Sequence, residues 1–185
     1  MISTLIKTVT AADASSIDFV DGTSDVVLDG TYDHYMFVFT DIAPETANAE
    51  FQFQVNATDD AGGGYDTSLI TSAVFYATHD ESDSTPGFNY VAGDDLAQSS
   101  SPQFLAAEMY DDADSALGGV MHLFSPASTT YVKHFKSRVI FNGSNTKASD
   151  THTAGYINDT TAIDEIRFNM DNGNMSGTIQ LYGIA

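Results

Sequence analysis

The sequence predicts an all-β protein, an antiparallel β-sandwich of jelly-roll type. Three observations predict it. Apolar residues recur at every second position in several segments. Asp-Gly and Asn-Gly pairs punctuate the intervals between those segments. Helical periodicity is nearly absent, with no heptads and no repeat of solenoid length.

The elements follow in order. Leu5 to Thr10 and Ser16 to Val20 open the series. Tyr35, Phe37 and Phe39 interleave with Met36 and Val38, so this strand is apolar on both faces and is expected at the centre of a sheet. Phe51, Phe53 and Val55 alternate with Glu50, Gln52 and Gln54, giving one dry and one wet face. Thr71 to Thr78, Gly119 to Phe124 and Thr130 to Phe141 come next. Ile166, Phe168 and Met170 alternate with Glu165, Arg167 and Asn169, and Ile179 and Leu181 with Thr178, Gln180 and Tyr182. The pattern supports about ten strands.

Asp21-Gly22, Asp29-Gly30, Asn142-Gly143 and Asn172-Gly173 suit positive φ, and Ser125 to Ser128 reads as a hairpin loop. Thr58 to Asp66 and Asp80 to Gly93 are Gly- and Asp-rich loops. A helical turn or two is expected within Asp95 to Tyr110, where Phe104 to Met109 has helical propensity. Antiparallel sheets must cover their edges, which a sandwich or a barrel does. Uneven strand lengths and two long loops favour the sandwich. The expected core comprises Phe37, Phe39, Phe51, Phe53, Val55, Phe75, Ile166, Phe168 and Leu181.

The 185 residues suit one domain over residues 1–185, and 42% hydrophobic residues suffice for its core. Six basic residues face 26 acidic ones, a formal net charge of -20. Such a chain repels phosphate backbones and anionic lipid, so neither nucleic acid nor membrane is an expected partner. Solubility is the plain reading of the charge; divalent cations or a salty habitat are the sharper one. There are no cysteines, hence no disulfide and no thiolate metal site. The opening residues Met1 to Lys7 lack a sustained apolar stretch and a cleavage-like site, so no secretory signal is expected.

Several segments resemble small virion structural proteins of bacteriophages, many of them marine. They are Leu5 to Thr10, Tyr32 to Phe39, Phe51 to Phe53, Asp94 to Ser99, and His122 to Phe135. The ending, Ser176 to Ile184, is similar to the close of many phage tail and fibre-associated proteins. The likeness runs from Leu5 to the C-terminus. It implies a structural protein of the virion, made in the host cytoplasm and displayed on the particle as an oligomer. The ending favours tail-fibre or adhesin-like placement, with capsid decoration as the alternative. No catalytic or ligand residue is carried over.

Candidate chemistry is sparse. His122 and His134, on successive strands around the Ser125 loop, are placed to share a metal across a hairpin; packed core histidines are the plainer reading. Asp111, Asp112 and Asp114 are candidates to begin a hard-cation site, against solvated loop charge. Asp59-Asp60, Asp80 to Asp83 and Asp94-Asp95 are further acidic clusters. Gly62-Gly63-Gly64 lacks the Lys-Ser/Thr of a phosphate loop, and no Gly-x-Ser-x-Gly elbow occurs. No enzyme activity and no cofactor are therefore expected. A carboxylate pair in a groove, or a cluster of exposed tyrosines, would instead favour a carbohydrate-binding or polysaccharide-acting module, with host-surface glycan as partner.

Lys133, Lys136, Arg138 and Lys147 fall in one stretch and make the chain dipolar. Lys133, Lys136 and Arg138 are the expected assembly contact, meeting acidic loops at Asp80 to Asp83 and Asp111 to Asp114 of a neighbour. The expected partners are further copies of the chain and other virion proteins.

Overall fold

A computed structural model describes residues 2–58, 65, 68–84, 86–143 and 146–185. The Asp59-Asp60 pair and the Gly62 to Gly64 run lie outside the described residues. Twelve strands form among the described residues: β1 (Ser3–Ala14), β2 (Ile17–Val20), β3 (His34–Pro44), β4 (Ala49–Ala57), β5 (Ile70–Asp80), β6 (Gly87–Tyr90), β7 (Gln103–Met109), β8 (Leu117–Phe124), β9 (Lys133–Gly143), β10 (Lys147–Ile157), β11 (Ile163–Met170) and β12 (Met175–Ile184). No helix occurs among them.

Every strand pair is antiparallel, as expected of an all-β chain joined by short turns. One run is eight strands wide, in the order β1-β12-β3-β8-β9-β10-β5-β6. A second run, β7-β4-β11-β2, is four strands wide. They join at one point, where Met109 of β7 pairs with Gly143 of β9. β1 approaches β2 at the far end, so the sandwich is nearly closed like a barrel. This division of eight over four differs from the eight strands in total of a jelly roll.

Period-two patterning decides which face goes inside. β9 alternates strictly, with Phe135, Val139 and Phe141 buried between exposed His134, Lys136, Arg138 and Ile140. The dry faces of the two runs meet in an aromatic core. Phe168 of β11 sits at its centre, with ring centroids 5.2 Å from Phe37, 5.3 Å from Phe39, 5.9 Å from Phe51, and 6.4 Å from both Phe19 and Phe53. Phe53 also meets Phe135 edge-on at 5.0 Å, which ties β4 to β9.

Three expectations are corrected. Gln103–Met109 is strand and not helix, because pairing with β4 outweighs its propensity. A register shift against β4, between the Phe51–Ala106 and Gln52–Phe104 pairs, lets adjacent Leu105 and Ala106 both be buried. Phe75 is only half-buried on the outward face of β5, stacked 4.8 Å over His152 and 5.5 Å from Phe88. The eight other expected core residues are all buried. Of the four proposed glycine turns, Gly22 and Gly173 adopt positive φ, and Gly30 and Gly143 do not. Among the described residues between β9 and β10, Thr146 has a positive φ.

Removing Phe168 strips one partner from five rings at once. Phe168→Ala is expected to cost about 3–5 kcal/mol, the usual range for a buried Phe. Phe75→Ala, on the outward face, is expected to cost markedly less. Urea denaturation of both variants checks the order; equal losses would contradict the assignment of faces.

Candidate functional site

The large sheet is twice as wide as the small one, and this produces two distinctive surfaces. The first is the outward face of the large sheet. Its middle is built from alternate residues of β3, β8, β9, β10 and β5. One cross-strand row runs Val38, Val120, Arg138, His152, Phe75, Tyr90; the next runs Met36, His122, Lys136, Ala154, Ala73. Along β8, β9 and β10 the sole acidic residue is Asp150. Arg138 takes it in a two-point contact, Nε to Oδ1 at 2.9 Å and Nη2 to Oδ2 at 2.7 Å. The guanidinium holds the Asp150 carboxyl below its usual range.

Lys136 makes no ion pair among the described residues; its ammonium lies 5.9 Å from the centre of the Phe124 ring. An open groove of about 390 Å³ runs beside it, lined by Phe75, Val120, His122, Arg138 and His152 among others. Large apolar side chains stand exposed nearby: Ile140 at 55%, Phe88 at 73% and Tyr90 at 57%. In a chain of net charge -20, this face is apolar and carries more positive than negative charge along its three central strands.

Of the expected assembly residues, Lys136 and Arg138 lie on this face, and Lys133 does not. Lys133 is fully buried, and its Nζ donates to the carbonyls of Asp159, at 3.0 Å, and Thr161. The reason is parity: counting by twos from Phe135 puts Lys133 inside. Its ammonium staples the Asp159 to Thr161 turn onto β9 and takes no part in a surface.

The candidate metal pair His122 and His134 is not brought together. Lys136, not His134, stands opposite His122, because β9 starts only at Lys133 and the loop before it sets the register. The His134 ring lies 6.4 Å from Tyr156 instead. His122 meets His34 of β3, with His34 Nε2 and His122 Nδ1 2.6 Å apart. Burial, and then the charge of Lys136, push the His34 ring below the usual histidine range; burial, then His34 and Lys136, do the same to His122. Sequence reading missed His34 because its partner is 88 positions away.

The acidic loops are a mixed outcome. Asp111, Asp112 and Asp114 are exposed between β7 and β8. No three His, Cys, Asp or Glu side chains converge to hold a metal among the described residues, these included. Asp80 is buried and braces its own turn, accepting from Ser84 N at 2.8 Å and Ser84 Oγ at 2.6 Å. Glu81, Ser82 and Asp83 beyond it are exposed.

The second surface is a cleft of about 240 Å³ where β10 and β5 overhang the small sheet. Their inward positions there are Val74, Tyr76, Thr78, Ser149 and Thr151, four of the five bearing a hydroxyl. Glu50 and Glu108 of β4 and β7, and Asp94 from the loop between β6 and β7, line its other side, and Lys147 lines it too. Burial, then the charges of Asp171, Asp94 and Glu108, push Glu50 up to about 7. Burial, then Glu108 and Asp95, raise Asp94. The positions of Glu50 and Asp94 were readable only as wet positions of a strand and a loop, since their convergence depends on the fold.

No protein-family model and no curated protein matches this chain.

The Glu50 shift has a definite sign. Its folded pKa lies above the ordinary 4.5, so the folded state favours the protonated form. That contribution to stability is whole below about pH 4.5 and is lost as pH rises through about 7. Glu50→Gln should therefore raise the Tm above that of the parent at pH 8, with the gain vanishing by pH 4. A gain independent of pH would contradict the shift.

Proposed function

We infer that the chain is a non-enzymatic structural protein of a phage virion, which assembles through the outward face of its large sheet. Resemblance along the chain suggests the virion, and a sandwich fold by itself names no function. The observation that supports the assembly reading is the reversal of charge: Lys136, Arg138 and the histidines crowd one apolar face of a chain of net charge -20. The complementary surface is the chain's own. Exposed Asp111, Asp112 and Asp114, with Glu81 and Asp83, supply the acidic loops that a second copy presents. The contact pairs two different patches, so it is heterologous and builds a ring or a lattice of copies. Tail-fibre placement and capsid decoration both use such repetition, and the tail-like ending favours the first.

A second reading has one observation in its favour. The cleft gathers Glu50, Asp94 and Glu108 with hydroxyl-bearing side chains, a lining that suits a carbohydrate. Saturable glycan binding or turnover, lost on Glu50→Gln with Asp94→Asn, would move the function from the face to the cleft.

Charge complementarity is strongest where salt screens least. The double variant Lys136→Gln, Arg138→Gln is expected to weaken self-association in dilute buffer, and added salt should do the same to the parent. Sedimentation velocity over a concentration series checks both. A parent chain that stays monomeric, or a variant that associates as the parent does, would overturn the self-assembly reading.

A further inference from the structure

We propose that His34 and His122 form a two-imidazole binding site for a borderline transition-metal dication, with zinc, nickel or copper(II) as its class of ligand. The inference stands apart from the assembly reading, since it concerns a single copy of the chain.

The geometry carries it. β3 and β8 are adjacent in the middle of the large sheet, with Met36 opposite His122 and His34 opposite Phe124. The two histidines are thus diagonal neighbours on one face, within reach of each other across the sheet. Their ring nitrogens point at one another, His34 Nε2 to His122 Nδ1 at 2.6 Å. The Phe124 ring lies over His34 at 4.6 Å and 22° and holds its plane. The backbone beneath is fixed by pairing on both sides, β12 with β3 and β9 with β8. Two ligands are therefore already oriented on a rigid support, and one side remains open to solvent.

The change needed is small. Bonds of about 2.0–2.1 Å place two ligand nitrogens about 3.3 Å apart at the tetrahedral angle of zinc, and about 2.9 Å apart at the right angle of tetragonal nickel or copper(II). From 2.6 Å the nitrogens must separate by about 0.3–0.7 Å, which side-chain rotation supplies. Without metal, one ring donates its N–H to the other. On binding, that proton leaves the nitrogen facing the partner, and the same ring takes a proton from water at its far nitrogen. Both rings stay neutral, so the site fills with no net release of protons while both imidazoles are neutral. Imidazole pairs suit zinc, nickel and copper(II), with copper(II) bound tightest.

No third His, Cys, Asp or Glu joins them among the described residues, so water fills the remaining positions. One group opposes the ion: the Lys136 ammonium stands on the neighbouring strand, opposite His122. Its charge repels a dication, and its removal should tighten binding.

The test is calorimetric titration of the full chain with zinc chloride, and separately with nickel chloride, at pH 7.5. One site per chain is expected. His34→Asn and His122→Asn should each weaken it at least tenfold. His134→Asn, one diagonal step away on β9, should leave it unchanged, and Lys136→Met should strengthen it a few-fold. Substoichiometric copper(II) added to the unaltered protein gives a second readout free of folding effects, and should first broaden the ring resonances of His34 and His122. Absence of saturable binding, persistence of full affinity in both His34→Asn and His122→Asn, or first broadening at other histidines would each overturn the proposal.

Discussion

Phe168 is the contact on which the rest of the molecule depends. It belongs to the four-stranded run and touches Phe37 and Phe39 in the eight-stranded run, as well as Phe19, Phe51 and Phe53 in its own. A sheet is stable only where its apolar face is covered. By locking the narrow run against β3, this one ring fixes which part of the wide run is covered and which parts are not. The outward face of the wide run has no such cover. The overhang of β10 and β5 presents a largely hydroxyl-bearing inner lining, and it faces Glu50, Asp94 and Glu108 across the cleft. Both candidate surfaces are thus consequences of a mismatch of eight strands against four.

The alternation of each strand then sorts charge. In β9 the same parity that buries Phe135 and Val139 buries Lys133 and presents Lys136 and Arg138 outward. A buried ammonium needs hydrogen-bond acceptors, and the Asp159 and Thr161 carbonyls supply two. Two residues five positions apart in one strand therefore have opposite duties. Lys133 holds a turn, and Arg138 neutralises Asp150 so that the outward face keeps a positive balance through Lys136.

Much of this was legible in the sequence where patterns are strong. Phe51-Gln52-Phe53 and Ile166 to Met170 announce half-buried strands because large apolar and polar residues alternate without interruption. β10 left no such trace. Its inward residues are Ser149, Thr151 and Thr153, small and hydroxylated, so neither face reads as apolar. β7 hid behind the helix-favouring run Leu105 to Met109, whose pairing with β4 is visible only in three dimensions. Of the outward face, Lys136 and Arg138 stand out in the sequence by clustering alone. Clustering says nothing of parity, and it is the strand's own alternation that turns Lys133 inward. The His34–His122 contact was beyond reach, since it depends on β3 and β8 being neighbours and on a diagonal register.

The proposed assembly gives one sheet two duties, its inner face closed by Phe168 and its outer face the contact between copies. Hydroxyl-radical footprinting of the chain, dilute and then assembled, tests this most directly. Ile140, Phe88 and Tyr90, exposed in the single chain, should become protected on assembly, while Tyr131, also exposed but in the loop before β9, should not. Protection of Tyr131 with Ile140, Phe88 and Tyr90 unchanged would contradict it.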